Sequence, residues 1–241
     1  MKTKTLPLLL LLLLIAGCTG GTPPMGWSGP TTAEGTIYVG SPGGRVYALE
    51  AETGQKRWGV EIGEKGPLNG IYTSPTVGED LVYLGTFDGK LLALDRESGG
   101  QRWVFQAQES IIANPLLVGD LVCFGSLDHK RLAPRGATLA KTWEFQTGSQ
   151  IWAGAASADD LLYLGSFDHK LYALDPQTGR KVWEFQTGGG VSSTPTLAHN
   201  LVYFGSLDHK LYALQAETGE KTWEFQTDNW VWSQPLVANG L

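Results

Sequence analysis

The chain of 241 residues has only two cysteines, Cys18 and Cys123. That excludes a disulfide-stapled scaffold, and no cysteine or histidine spacing of a zinc site occurs. Histidine is almost as scarce, at four. No glycine loop for phosphate and no nucleophile elbow stands out, so the residue patterns of catalysis and metal binding are missing. Charged residues make up 17% of the chain and the formal net charge is −6. An acidic chain without basic clusters excludes nucleic acid and anionic headgroups as main partners. After residue 18 there is no segment of helical period and no apolar run near the roughly 20 residues of a spanning helix. What the chain does have is 32 glycines and nine tryptophans.

The N-terminus reads as a targeting segment. Lys2 and Lys4 precede an apolar run over 6–15 that ends in small residues, the pattern of a signal peptide over 1–17. Ile15-Ala16-Gly17-Cys18 resembles a bacterial lipobox, which implies lipidation of Cys18; an ordinary signal peptide is the alternative. Residues 18–25, with Gly20, Gly21, Pro23 and Pro24, would form a tether, and loss of the two leader lysines takes the charge to −8. The expectation is a bacterial, extracytoplasmic protein held to the membrane by two or more acyl chains.

Tryptophan then recurs at Trp58, Trp103, Trp143, Trp183 and Trp223, at intervals of 45, 40, 40 and 40. A period near 40 means one supersecondary unit written repeatedly. Within residues 191–227 the unit holds four short apolar or alternating runs separated by polar turns, two of them marked by Asp208-His209 and Thr218-Gly219. Four strands per repeat of about 40 residues make a β-propeller blade. The fold class is therefore all-β, with antiparallel four-stranded blades filling residues 26–241.

A second ruler runs through the first strands: Pro30, Pro75, Pro115, Ala155, Pro195 and Pro235. It counts five complete blades plus the first strand of a sixth, and it places five extra residues near 63–67 between blades one and two. Over 131–140 the apolar pattern fails and Pro134 falls where a central strand should run, as two compensating frame slips would produce; a weakened third strand is expected there. His129, His169 and His209 fill the turn slot that Gly44 and Gly89 fill elsewhere, so a left-handed backbone rather than a metal explains them. Cys123 stands where other blades have Tyr38, Tyr83, Tyr163 and Tyr203, and reads as a buried free thiol.

The phrase formed by Ala173, Asp175, Thr178, Gly179 and Trp183 resembles the tryptophan-docking motif of quinoprotein-type (PQQ-like) propeller repeats. In that family each indole docks on the neighbouring blade, which implies structural roles for Trp58, Trp103, Trp143, Trp183 and Trp223. Relatives commonly close with eight blades, so the chain reads as a partial eight-bladed ring; a five-bladed ring with a spare strand is the alternative. Quinone-dependent dehydrogenases of the family use adjacent cysteines and a calcium site; this chain has no Cys-Cys pair, so no cofactor, and no quinone, is expected.

Function is sought where the copies differ. Three residues before each ruler position stand Trp27, Tyr72, Ile112, Trp152, Ser192 and Trp232, mostly preceded by an aliphatic residue: Ile71, Ile111, Ile151, Val191, Val231. Strand alternation sends the aliphatic residue between blades and its neighbour toward the channel or face. Trp27, Tyr72, Trp152 and Trp232, with Trp230, would line an aromatic mouth on the face shared by the blade-to-blade crossovers and the turns between second and third strands. The same rings would also serve as a channel plug. The resulting expectation is a non-catalytic scaffold that binds an envelope protein, similar to the propeller lipoproteins of the outer-membrane β-barrel assembly machinery. A glycan or cell-wall binder and a fragment of a quinone-dependent dehydrogenase are the alternatives.

Overall fold

The computed structural model describes residues 29–62, 70–134, 141–158 and 160–238. These hold five four-stranded antiparallel sheets, each a meander in chain order. Blade one spans 31–61, blade two 76–106, blade three 116–146, blade four 156–186 and blade five 196–226. Among the described residues no helix is long and apolar enough to cross a membrane.

The turns explain the meander. Between second and third strands the left-handed position holds Gly44 (φ 73°), Gly89 (81°), His129 (68°), His169 (71°) and His209 (69°). Histidine therefore serves here as a tolerated substitute for glycine in a tight turn. The crossovers fold back onto these turns: Ala107 N–H donates to Gly89 O at 2.8 Å, Thr147 to His129 O at 2.9 Å and Thr187 to His169 O at 2.8 Å. Both loop types thus share one face.

The core lies between sheets. Tyr38, Val46 and Trp58 of blade one pack with Val82, Leu84 and Leu92 of blade two. Leu91 and Ala93 pack with Val122 and Phe124 of blade three. Cys123 and Trp143 meet Leu162 and Leu164 of blade four, whose Tyr163 and Ala173 meet Val202 and Phe204 of blade five. Central strands buried on both faces account for runs such as Leu81-Val82-Tyr83-Leu84, where no polar residue alternates. Face-to-face stacking of successive meanders is a β-propeller.

The docking tryptophans complete each junction. The Nε1–H of Trp58 donates to Arg96 O (2.9 Å), that of Trp143 to Pro176 O (2.7 Å) and that of Trp183 to Ala216 O (3.0 Å). Each ring lies on the Thr/Ser-Gly turn of the next blade; a Cβ on Gly99, Gly179 or Gly219 would come within 2.6–2.7 Å of it. Those glycines also have φ of 70–75°, so two independent constraints select glycine. In its own blade each tryptophan stands opposite alanine, at the residue before a β-bulge: Ala48, Ala93, Ala133, Ala173 and Ala213. Trp103 packs in the core between blades two and three. Trp223 is 40% exposed, and no described blade receives it.

Two expectations about the strands meet the structure differently. In blade three the third strand pairs with the second at only two positions, Phe124–Leu132 and Gly125–Arg131, against five in blade four. Proline lacks an N–H for the ladder, so Pro134 ends the pairing early. Pro134→Leu, which restores the residue of the other blades, should raise stability by about 0.5–1.5 kcal/mol in urea unfolding. By contrast, residues 231–238 form no strand. Pro235 occupies the first-strand place, because Thr196 Oγ1 donates to its carbonyl at 2.6 Å as Thr31 does to Pro75 and Thr76 to Pro115. A strand is made by pairing, and no second strand of a sixth blade exists among the described residues. The insertion near 63–67 and residues 135–140 lie outside the described residues.

Exposed ion pairs stiffen the outer strands. Glu224 accepts from Lys210 and Lys221, each at 2.7 Å, and these two bonds hold its pKa down to about 2, from an ordinary 4.5. The folded value lies below the unfolded one, so the stabilisation is complete above the ordinary carboxylate pKa and is lost as pH falls from 4.5 toward 2. Carboxyl NMR titration should place the Glu224 midpoint near 2, and Lys210→Met should move it upward.

Candidate functional site

Ile151 is fully buried among Trp143, Leu162 and Leu164, while the next side chain, Trp152, lies at the surface. Trp152 is fixed by Gln150, whose Oε1 accepts its indole N–H at 3.0 Å. The backbone carbonyl of the same Gln150 accepts the N–H of Phe167 at 3.0 Å. One glutamine thereby holds two aromatic residues, and their ring centroids lie 5.1 Å apart.

Trp232 likewise follows a packed aliphatic residue, two repeats on, without the glutamine bond. Val231 packs on Gly205, where an added Cβ would come within 2.3 Å of Val231 Cγ2's sister methyl, Cγ1, and its N–H donates to Ser206 O at 3.2 Å. The Trp232 ring reaches 6.5 Å from Trp152 and 6.4 Å from Phe167, and Trp230 stands edge-on to it at 6.0 Å. The intervening blade contributes only Ser192 to this position, a small residue whose buried Oγ has no hydrogen-bond partner among the described residues. Trp152, Trp230 and Trp232 remain 36%, 56% and 46% exposed. Neither Trp230 nor Trp232 donates its indole N–H to another described residue.

Tyr72 does not join them. It is buried, with its ring 5.2 Å from Phe87 and so close over Gly70 that a Cβ there would lie 2.6 Å from it. The expected mouth is thus a cluster on the blade-four side, and Tyr72 is core. Trp27 and Cys18 lie outside the described residues. Phe167 was not expected. Its signal is an alternation: Phe87, Leu127, Phe167 and Leu207 occupy one turn slot, and the phenylalanines fall in the two blades that carry Tyr72 and Trp152.

The acidic turn residues of this face are engaged in holding the loops. Asp168 Oδ2 accepts from Gly148 N–H (2.7 Å) and Tyr172 O–H (2.6 Å). Asp208 does the same with Gly188 (2.8 Å) and Tyr212 (2.7 Å). Burial, reinforced by these bonds, pushes both tyrosine hydroxyls up from their ordinary value, so they stay neutral donors.

The family model for the outer membrane protein assembly factor BamB matches residues 19–138 and 130–239. The chain belongs to the BamB family of PQQ-like repeat propellers. BamB from Moraxella catarrhalis is similar in fold, with a TM-score of 0.73 and 23% identity over 83% of this chain and 61% of that one. The computationally designed Ika8 protein gives 0.78 and 15% over 88% and 65%. The quinohemoprotein alcohol dehydrogenase from Comamonas testosteroni gives 0.73 and 17% over 83% and 42%. The chain thus spans less than two thirds of the length of these proteins. A comparison with curated proteins finds no match.

The fold of the BamB family is therefore shared with a quinone enzyme, and the residues decide what this chain can hold. Among the described residues no three His, Cys, Asp or Glu side chains come together as a metal site, and the sequence has no adjacent cysteines. On the opposite face a cleft of about 690 Å³ lies between blades one and two, lined by Trp58, Arg57, Arg96 and Arg102 among others. Its arginines are paired: Arg96 with Glu34 at 2.8 Å and Arg57 with Glu50 at 3.9 Å, while bonds from Ser98 and Arg102 hold Asp95 well below the usual carboxylate range.

Proposed function

We propose that this BamB-family propeller is a non-catalytic scaffold at the bacterial cell envelope that binds a protein partner through the cluster of Trp152, Phe167, Trp230 and Trp232. Exposed aromatic rings brought together from two crossovers carry this reading. Such rings offer large contact area at low entropic cost and are the usual energetic anchors of protein interfaces. The relative named as an outer membrane protein assembly factor points to a partner in that assembly. Attachment through a lipid on Cys18, with 1–17 removed as a signal peptide, belongs to the same proposal and keeps the propeller beside its partner. No quinone or metal has a role in it.

A photoreactive side chain at position 152 or 232, introduced in cells, tests the reading. The expected result is one recurrent envelope protein in the crosslinked product, lost when Trp230 and the remaining tryptophan are changed to alanine. Crosslinks to no reproducible protein, with glycan binding that Trp152→Ala abolishes, would replace the scaffold by the carbohydrate reading.

A further inference from the structure

The fourth strand of each blade is the outer edge of its sheet, and no described strand pairs with its far side. Charged side chains are the usual guard against pairing with another chain there. Four of the five blades have them. Glu144 pairs with Lys130 at 3.2 Å, Glu184 with Lys170 at 2.7 Å and Lys181 at 2.6 Å, and Glu224 with Lys210 and Lys221. Blade one has Gly59 in the glutamate slot, but Arg57 and Glu61 flank it and pair with Glu50 and Arg45. Blade two is unguarded. Its fourth strand, Gln101–Gln106, carries Val104 in the glutamate slot, 39% exposed, and Gln101 in the slot of Lys181 and Lys221. Lys90, the counterpart of Lys170, pairs with Asp88 inside its own turn, and Arg102 turns back to Asp95. Beyond the bulge, Trp103–Gln106 runs opposite Ala93–Lys90 in unbroken register. A regular edge of four residues without a charge is left along the rim.

Two cavities flank this same strand. The cleft of about 690 Å³ is lined by its Arg102, and a notch of about 250 Å³ is lined by its Phe105 and Gln106 with Asp128 and Lys130 of blade three. Five carboxylates line the cleft, Glu34, Glu79, Asp80, Asp95 and Glu97, against three arginines. Arg96 and Arg102 are taken by Glu34 and Asp95, and Glu79, Asp80 and Glu97 form no ion pair with a described residue. We infer that the outer strand of blade two is a β-augmentation site for an extended segment of a partner protein. That segment carries an apolar, β-branched side chain over Val104 and, two residues along on the same face, a basic side chain that enters the acidic cleft beside Arg102. Backbone pairing supplies affinity in such a site, and pockets for alternate side chains supply specificity. A six-residue edge offers far less than the roughly 800 Å² per partner of a stable dimer of folded copies, whereas an extended segment also fills both cavities. The rim of a propeller is open whether or not the ring closes, so the site is independent of the number of blades.

The site does not rest on the scaffold reading, and its test is separate. The probe is a fluorescein-labelled, end-capped peptide, Thr-Lys-Thr-Val-Thr-Val-Thr, titrated with the purified full chain. Its anisotropy should rise to saturation. Val104→Lys, with an unchanged β-sheet circular dichroism spectrum, should weaken binding by about tenfold or more. Val182→Lys, at a similarly exposed position on the outer strand of blade four, should leave it unchanged. Methylating one alternate set of peptide backbone nitrogens should abolish binding while methylating the other set should not, because only one set faces the edge. Replacing the peptide lysine by glutamate should cost about tenfold, since the cleft is already acidic. No saturable binding, equal binding by Val104→Lys, equal effects of the two methylated sets, or a preference for the acidic peptide would overturn the inference. Self-association in sedimentation velocity that Val104→Lys removes would replace the extended segment by a second copy. Trp152→Ala with Trp232→Ala should bind the peptide as the wild type does, which separates this surface from the aromatic cluster.

Discussion

Trp143→Ala is expected to destabilise the protein by about 3–5 kcal/mol, while Trp223→Ala, the same change in the same repeat slot, should stay within about 0.5 kcal/mol. The difference lies in the neighbour. Trp143 is almost wholly buried, donates to Pro176 O at 2.7 Å and lies against Gly179. Its removal opens a cavity between blades three and four and leaves the Pro176 carbonyl without its donor. Trp223 makes its ring contact with Tyr203 at 5.8 Å and otherwise faces solvent. Urea midpoints of dilute protein at constant m-value measure both. Equal losses in the two variants would mean that tryptophan contributes through its own blade and that docking on the next one matters little. Gly179→Val should reproduce the Trp143→Ala loss from the other side, since its Cβ would meet the indole at 2.6 Å on a backbone with φ of 70°.

The second large effect is on binding. Trp152→Ala and Trp232→Ala should each weaken the partner complex by about 2 kcal/mol, roughly thirty-fold in Kd, without lowering the unfolding midpoint by an amount that accounts for it. The two rings are in contact range of each other and share Phe167, so the double variant should lose less than the sum of the single losses. Titration of the crosslinked partner, once purified, against the four proteins of this double-mutant cycle gives the coupling directly. Single losses below about threefold would place the interface elsewhere. Tyr72→Phe provides the control, because Tyr72 is buried away from the cluster and should leave Kd unchanged.

The repeat made much of this legible. Spacing of tryptophans and prolines gave blade boundaries, and the Gly44/His129 equivalence gave the turn backbone. Alternation after Ile151 and Val231 gave the direction of Trp152 and Trp232. What a repeat cannot carry is which rings meet, because that depends on contacts between copies. Tyr72 and Trp152 hold the same position, but Gly70 lets the tyrosine ring settle onto the backbone beneath Phe87, while Gln150 props the indole outward. Phe167 carries no local signal, because it sits in a turn whose Asp168-His169 pair is explained by the backbone alone. Its alternation with leucine is visible only when turn slots are compared two blades apart. The exposure of Trp223 is carried by the blade count and not by its local sequence, which matches that of the buried copies.

Blade three gathers several departures from the pattern. Cys123 replaces the tyrosine whose ring elsewhere lies tilted against the blade's own tryptophan, and two ladder pairs join its second and third strands. In a stack where each sheet touches only its neighbours, cooperativity passes through every blade in series. A weak member then acts as a fault line, dividing the molecule into segments that open independently. Trp152, Phe167, Trp230 and Trp232 all lie on the same side of that line, so the proposed binding cluster would stay together if the blades parted there.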